Sequence, residues 1–101
     1  MNVAELVALG QRAEAEAEAI QRHHERLERT PASVADVLLG RLSHGIDFAR
    51  HDKLLTQLDA ACKRHGDERV DGVSGVHTLR GIRDVFVGAL ALLEPYRKAT
   101  P

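Results

Sequence analysis

The sequence predicts an all-α fold, a small bundle of four helices in antiparallel packing. Apolar residues recur at spacings of three and four along most of the chain, and aromatic residues make up only 3% of it. A core with so few rings must be built from Leu, Val, Ile and Ala, which favours helix packing over a sheet sandwich. The four helices are expected over residues 3–29, 32–43, 47–65 and 76–94.

The first predicted helix is long and carries a heptad seam. Asn2 can cap its start, and Glu5 completes a capping box three residues later. The seam consists of Val3, Leu6, Gly10, Ala13, Ala17, Ile20, His24 and Leu27. At 1.5 Å per residue the helix is about 40 Å long, and the small residues in mid-seam would let another helix approach closely. The charged residues beside the seam, Glu14 and Glu16 among them, are expected to be solvated.

Proline and glycine residues set the expected limits of the other three helices. Pro31 fits the first turn of the second helix, and Gly66 ends the third. Residues 66–69 indicate a connection, and the structure of the chain from there to about Gly75 is left open because Gly72, Ser74 and Gly75 weaken any helix. Pro95 is expected to stop or kink the fourth helix. From Val85 to Leu93 the fourth helix is apolar on all sides, which is typical of a helix in the middle of a bundle or in an oligomer contact.

Composition indicates one domain, residues 1–101, in a reducing compartment. A net charge of −1 with interspersed signs gives no electrostatic footprint for nucleic acid. The single cysteine, Cys62, excludes an intrachain disulfide. The N-terminus lacks the features of a signal peptide, and the longest apolar run, nine residues, is about half of what a membrane span needs. We therefore expect a cytoplasmic protein with neither nucleic acid nor membrane as a partner.

The strongest candidate for a chemically functional site is the motif His77-Thr78-Leu79-Arg80-Gly81, on a stretch predicted to be helical. A surface histidine can accept a phosphoryl group, and a basic residue three positions on shares its helix face and can neutralise it. The motif resembles the signature of histidine phosphotransfer domains, over roughly residues 46–90. The resemblance implies that His77 carries the phosphoryl group, that Arg80 steadies its charge, and that Gly81 leaves room for a response-regulator receiver domain.

The six histidines raise metal binding as a further possibility. Histidines and carboxylates share helix faces at His44, Asp47 and His51 and at His23, His24 and Glu28. The Glu-x-x-His pairs of a di-iron bundle and the paired cysteines of a structural zinc site are both missing from the sequence. We therefore expect no metal and no cofactor, although protonation of these histidines below about pH 6 would make assembly pH-sensitive.

Two functions follow from these patterns. The first is a non-enzymatic helical interaction protein (an adaptor, a chaperone-like or a regulatory subunit) that contacts itself or a partner protein. The second predicted helix is too short to cover the first, so a homo-oligomer or a hetero-complex is expected. The expected interface residues are Leu6, Gly10, Ala13, Ala17, Ile20, His24 and Leu27, with Phe86 and Leu90 of the fourth helix. The alternative is a phosphorelay phosphotransfer domain acting through His77; catalytic residues are not expected otherwise.

Overall fold

The computed structural model describes residues 1–29, 33–34, 46–72 and 74–98. Its elements in chain order are α1 (Val3–Arg29), α2 (Phe48–His65), β1 (Arg69–Asp71), β2 (Val76–Thr78) and α3 (Leu79–Lys98). The described residues are mostly helical and form three helices and a two-stranded antiparallel sheet. The prediction of an all-α bundle of four helices was therefore wrong. The second predicted helix, residues 32–43, lies outside the described residues except for 33 and 34.

Polar caps fix the ends of the first two helices. The Asn2 side chain accepts a hydrogen bond from the Glu5 backbone N–H at 2.8 Å, and α1 then runs over the predicted 3–29. Asp47 does the same for α2, accepting from the Arg50 backbone N–H at 3.0 Å. At the other end of α2 the Gly66 N–H donates to the Cys62 carbonyl at 3.1 Å. Capping satisfies backbone groups that a helix cannot pair internally.

A β-hairpin follows the predicted connection and includes the stretch to Gly75 whose structure the sequence leaves open. Its register pairs Arg69 with Thr78, Val70 with His77, and Asp71 with Val76. The turn is closed by the Gly72 N–H, which donates to the Gly75 carbonyl at 2.6 Å. Gly75 has φ +138°, a backbone conformation that residues with a Cβ atom rarely adopt. Val70 is only 2% exposed, so this single side chain anchors the hairpin in the core.

The predicted bounds of the last helix, 76–94, were wrong at both ends. Residues 76–78 pair with β1, and Thr78 then caps α3, its side-chain oxygen accepting from the Gly81 N–H at 3.0 Å. Pro95 lies inside α3 and does not stop it. A proline in the last turns removes only one helical hydrogen bond, and Arg97, beyond it, is held by contacts with α2.

The helices are not all antiparallel, which corrects a further expectation. α1 and α3 run parallel: Gly10 faces Ile82 toward their N-terminal ends, and the rings of His24 and Tyr96 meet toward their C-terminal ends, 6.4 Å apart. α2 runs antiparallel to both. The hairpin returns the chain to the end of α2, where the Leu79 N–H donates to the Glu68 carbonyl at 3.0 Å and the Arg80 N–H to the Gly66 carbonyl at 3.0 Å. From there α3 runs back along α1.

The residues predicted to contact a partner lie within the core of this chain. Buried are Leu6, Gly10, Ala13, Ala17, Ile20, Phe86 and Leu90, and half-buried are His24 and Leu27. A Cβ added at Gly10 would lie 3.1 Å from Val70 Cγ2 and 3.2 Å from Ile82 Cδ1. The small residues of the α1 seam therefore admit β1 and α3 of the same chain.

An arginine links the start of α2 to the end of α3. Arg97 makes two hydrogen bonds to the Asp52 carboxylate, at 2.8 and 2.9 Å, and its guanidinium carbon lies 4.3 Å from the centroid of the Phe48 ring. The hydrogen bonds and charge of Arg97 lower the pKa of Asp52 below its ordinary value of 3.8. This contact holds the α3 turn that follows Pro95.

Two glycines in helices allow a matched test of the packing. Gly10→Leu should destabilise the protein by about 1–3 kcal/mol, because the added side chain overpacks the contact with Val70 and Ile82. Gly88→Ala should stabilise it by roughly 0.5–1 kcal/mol through helix propensity, since nothing lies within 4 Å of the added Cβ. Urea unfolding followed by circular dichroism measures both, and changes of the same sign would contradict this packing.

The Arg97 contact should also give stability a pH dependence. Because the pKa of Asp52 is depressed on folding, its contribution is present above pH 3.8 and lost as the pH falls through the lower folded-state value. Arg97→Gln should therefore cost about 0.2–1 kcal/mol near neutral pH, the range for exposed pairs, and progressively less below pH 3.8. Arg22→Gln, at an exposed position of α1, is the control and should change neither the stability nor the carboxyl titration of Asp52 seen by NMR.

Candidate functional site

His77 lies on β2, not on a helix, and is exposed. Its Nε2 lies 3.3 Å from the hydroxyl oxygen of Ser74, in the hairpin turn. The expectation that this histidine occupies the first turn of a helix fails because Thr78, directly after it, is the residue that caps α3. The motif therefore spans a strand end and a helix start.

Ser74 is in turn held by Glu14 of α1. The Ser74 backbone N–H donates to Glu14 Oε1 at 2.9 Å, and the Ser74 hydroxyl donates to the same oxygen. The other carboxylate oxygen lies against Gly72, where any Cβ would collide with it. Glu14 is only 8% exposed, so the expectation of a solvated side chain was wrong. A buried carboxylate is tolerable only with hydrogen-bond donors around it, and the turn supplies them.

A cavity of about 200 Å³ adjoins this cluster. Its lining comprises Glu14, Ala17, Glu18 and Gln21 of α1, Ser74 and His77 of the hairpin, and Gly81, Ile82 and Val85 of α3. One wall is thus acidic and polar, and the opposite wall is apolar. His77 lies where the two walls meet the hairpin.

Arg80 points away from His77. Its Nη1 lies 2.9 Å from Asp67 Oδ1, and it lines a separate cleft that faces α2. The structure therefore does not bring together the histidine and the guanidinium that the motif pairs. A phosphoryl group on His77 would instead lie in a cavity with Glu14 and Glu18, whose charges would repel it.

A second buried carboxylate, Glu16, binds α2. Its Oε1 lies 2.7 Å from His51 Nδ1 and 3.4 Å from Arg50 Nε, and it is 8% exposed. Nearby, burial and the charges of Arg26 and His51 lower the pKa of His23 below its ordinary value of 6.5. Glu16 therefore contributes to the packing of α1 on α2, and the expectation of a solvated side chain was wrong for it as for Glu14.

The residues considered for metal binding are spread over separate contacts. Asp47 caps α2, and His24 Nε2 lies 3.2 Å from Glu28 Oε1 at the end of α1. His44 lies outside the described residues. In the part of the chain that the structure describes, no group of three or more His, Cys, Asp or Glu side chains is arranged to hold a metal ion.

The single cysteine has the character of a packing residue. Cys62 is half-buried on α2, and burial raises the pKa of its thiol above the ordinary value of 9.0. A thiol with a raised pKa is protonated at neutral pH and is a poor nucleophile.

The outer side of α3 carries a second heptad seam, which the core leaves exposed. It consists of Gly81, Val85, Gly88, Leu92 and Pro95, at spacings of four and three. Val85 is 53% exposed and Leu92 is 38% exposed, and nothing lies within 4 Å of a Cβ built on Gly88. The sequence indicates only that this stretch is apolar on all sides; the fold decides which side remains uncovered.

A row of polar residues on α1 runs beside this seam. Glu18 and Gln21 line the same cavity as Val85. Because α1 and α3 are parallel, Glu25, one heptad after Glu18, is expected beside Leu92, one heptad after Val85. We call the depression between Glu18, Gln21 and Glu25 on one side and Gly81, Val85, Gly88 and Leu92 on the other the α1–α3 groove.

The role of Glu14 can be tested against that of its neighbour Glu18. Glu14→Gln should destabilise the protein by about 1–3 kcal/mol, because an amide leaves one of the buried polar partners unsatisfied. Glu18→Gln removes the same charge at an exposed position, and should change stability by less than about 0.5 kcal/mol. Urea unfolding gives both values, and the amide resonance of Ser74 should move only in the Glu14 variant. Equal losses in the two variants would contradict the assigned role.

Among the described residues, none of the helices has the length and apolar character needed to cross a membrane. No protein-family model matches the chain, and no curated protein or solved structure shows significant similarity to it.

Proposed function

We propose that this protein is a helical interaction module, an adaptor or regulatory subunit, that binds an amphipathic helix of a partner protein in the α1–α3 groove. The observation that carries the proposal is the exposed apolar seam of α3. Two large aliphatic side chains lie in line on it. Val85 has about half of its surface exposed, and Leu92 has more than a third exposed. Exposed apolar side chains aligned on one face of a helix favour an interaction site there.

The spacing of the seam favours a helix as the partner. Residues at alternating spacings of three and four form the straight row into which the side chains of another helix pack. Gly81 and Gly88 place two gaps in that row, so a second backbone can approach closely at both. Binding of an amphipathic helix in a groove between two helices is a common mode of protein recognition.

The charge of the groove favours a partner with basic residues. The α1 side presents Glu18 and Glu25, both exposed, next to the apolar seam. A bound helix would bury its apolar face against Val85 and Leu92 and bring one polar flank over these carboxylates. Lysine or arginine on that flank gives electrostatic complementarity, which contributes specificity and association rate.

The α1–α3 groove differs from the interface that the sequence predicts on the seam of α1. The small seam of α1 is covered by β1 and α3 of the same chain, so the proposed contact uses α3 and the polar flank of α1. The alternative, phosphotransfer through His77, is not proposed, because Arg80 is paired with Asp67 and carboxylates line the cavity beside the histidine.

The proposal can be tested with a pair of synthetic helices. A fluorescent amphipathic peptide of Leu and Lys should bind about tenfold more tightly than the same peptide with Glu in place of every Lys, as measured by anisotropy. Val85→Lys should abolish this binding, because it places a charge in the apolar seam. Val87→Lys makes the same change on the other flank of α3, where the side chain is 37% exposed, and should leave binding intact.

Three results would contradict the proposal: equal affinity for the two peptides, equal loss in the two variants, or no binding by the wild type. Sedimentation equilibrium of the protein alone provides a fourth. A dimer that Val85→Lys dissociates and Val87→Lys does not would assign the groove to a second copy of the chain in place of a basic partner helix.

A further inference from the structure

A larger cavity lies on the opposite side of α1, between its N-terminal half and the C-terminal half of α2. Its volume is about 650 Å³, within the range of roughly 300–1,000 Å³ that is typical of small-molecule sites. Its floor is formed by Ala8, Leu9, Ala60 and Ala61. Since three of these four side chains are single methyl groups, the two helices leave space between them. We call this cavity the α1–α2 cleft and these four residues its floor.

The rim of the cleft is polar and has a surplus of positive charge. It carries Arg12 and Arg64 against one carboxylate, Glu5. The Arg12 guanidinium donates a hydrogen bond to the Gln57 side chain across the cleft, which fixes its position. Arg64, in the last turn of α2, is exposed and makes no ion pair within the described part of the chain.

We propose that the α1–α2 cleft binds a small aliphatic monocarboxylate, with its hydrocarbon chain on the floor and its carboxylate held by Arg12 and Arg64. An apolar pocket with a few convergent polar groups is the usual form of a small-molecule site. Guanidinium groups match the planar geometry of a carboxylate and bind it through two parallel hydrogen bonds.

The rim favours an anionic ligand. The side chains of Arg12 and Arg64 outnumber the Glu5 carboxylate, and the further lining residues Met1 and His65 add no negative charge. The extended apolar floor further favours an aliphatic acid over a small polar one, because burying each methylene of the ligand contributes roughly 0.8 kcal/mol.

Octanoate and 1-octanol are suitable probes because they share a chain length and differ in charge. Isothermal titration calorimetry on the full chain should show octanoate binding about tenfold more tightly than 1-octanol, the value of one charge-assisted hydrogen bond. Amide resonances of Ala60 and Ala61 should shift with either ligand. Arg64→Gln should lower the octanoate affinity toward that of 1-octanol, with Arg12 still present, and leave the affinity for the alcohol unaffected.

Two variants serve as controls. Lys63→Gln removes a positive charge from the adjacent residue, which lines a different cleft with Asp59 and Cys62, and should leave octanoate binding unchanged. Ala60→Phe fills the cleft and should abolish binding of both probes; its circular dichroism spectrum shows whether it folds. The site is distinct from the α1–α3 groove, so Val85→Lys should bind octanoate as the wild type does.

Several results would overturn the inference. These are the absence of octanoate binding, equal affinity for octanoate and 1-octanol, and equal weakening by Lys63→Gln and Arg64→Gln. A concentration-dependent dimer, formed without ligand and dissociated by Ala60→Phe, would show that a second copy of the chain occupies the cleft.

Discussion

The position of the hairpin against α1 depends on one buried carboxylate. Glu14 lies in the middle of α1, and its partners lie in the hairpin turn, which it holds through the backbone and hydroxyl of Ser74. This places the hairpin along α1 with Val70 inserted in the core. Because α3 begins at the residue after β2, the position of the hairpin also affects where α3 starts against α1. The groove lies between these two helices, which run parallel.

Periodic patterns predict the long helices of this fold and fail at the hairpin. The seam of α1 repeats for nearly four heptads, and polar caps mark the starts of α1 and α2, so both follow from the sequence. Each hairpin strand has three residues, too few to establish a period of two, and only Val70 faces the core. The signals that identify the hairpin are local: two glycines at the turn, and Thr78 as a cap just after the second strand.

The candidate sites were harder to predict because they depend on which surfaces meet. Glu14 and Glu18 are one helical turn apart and chemically identical, yet only Glu14 binds the hairpin turn. The sequence of α1 alone does not predict which of the two glutamates is buried. The α1 seam likewise predicts a buried surface, but it does not predict whether the same chain or a partner chain covers that surface. His77 and Arg80 share a face only on a continuous helix, and the strand end between them separates their side chains.

The parallel pairing of α1 and α3 has a consequence for how the chain folds. Helical proteins of this size usually fold fast because most of their contacts join residues close in sequence. Here α1 packs on α3, so the contact between Gly10 and Ile82 joins residues that are far apart in the sequence. During synthesis the apolar seam of α1 is not fully covered until α3 has been made. Completion of this fold therefore depends on the emergence of α3, and α1 is the segment most open to misassembly in the meantime.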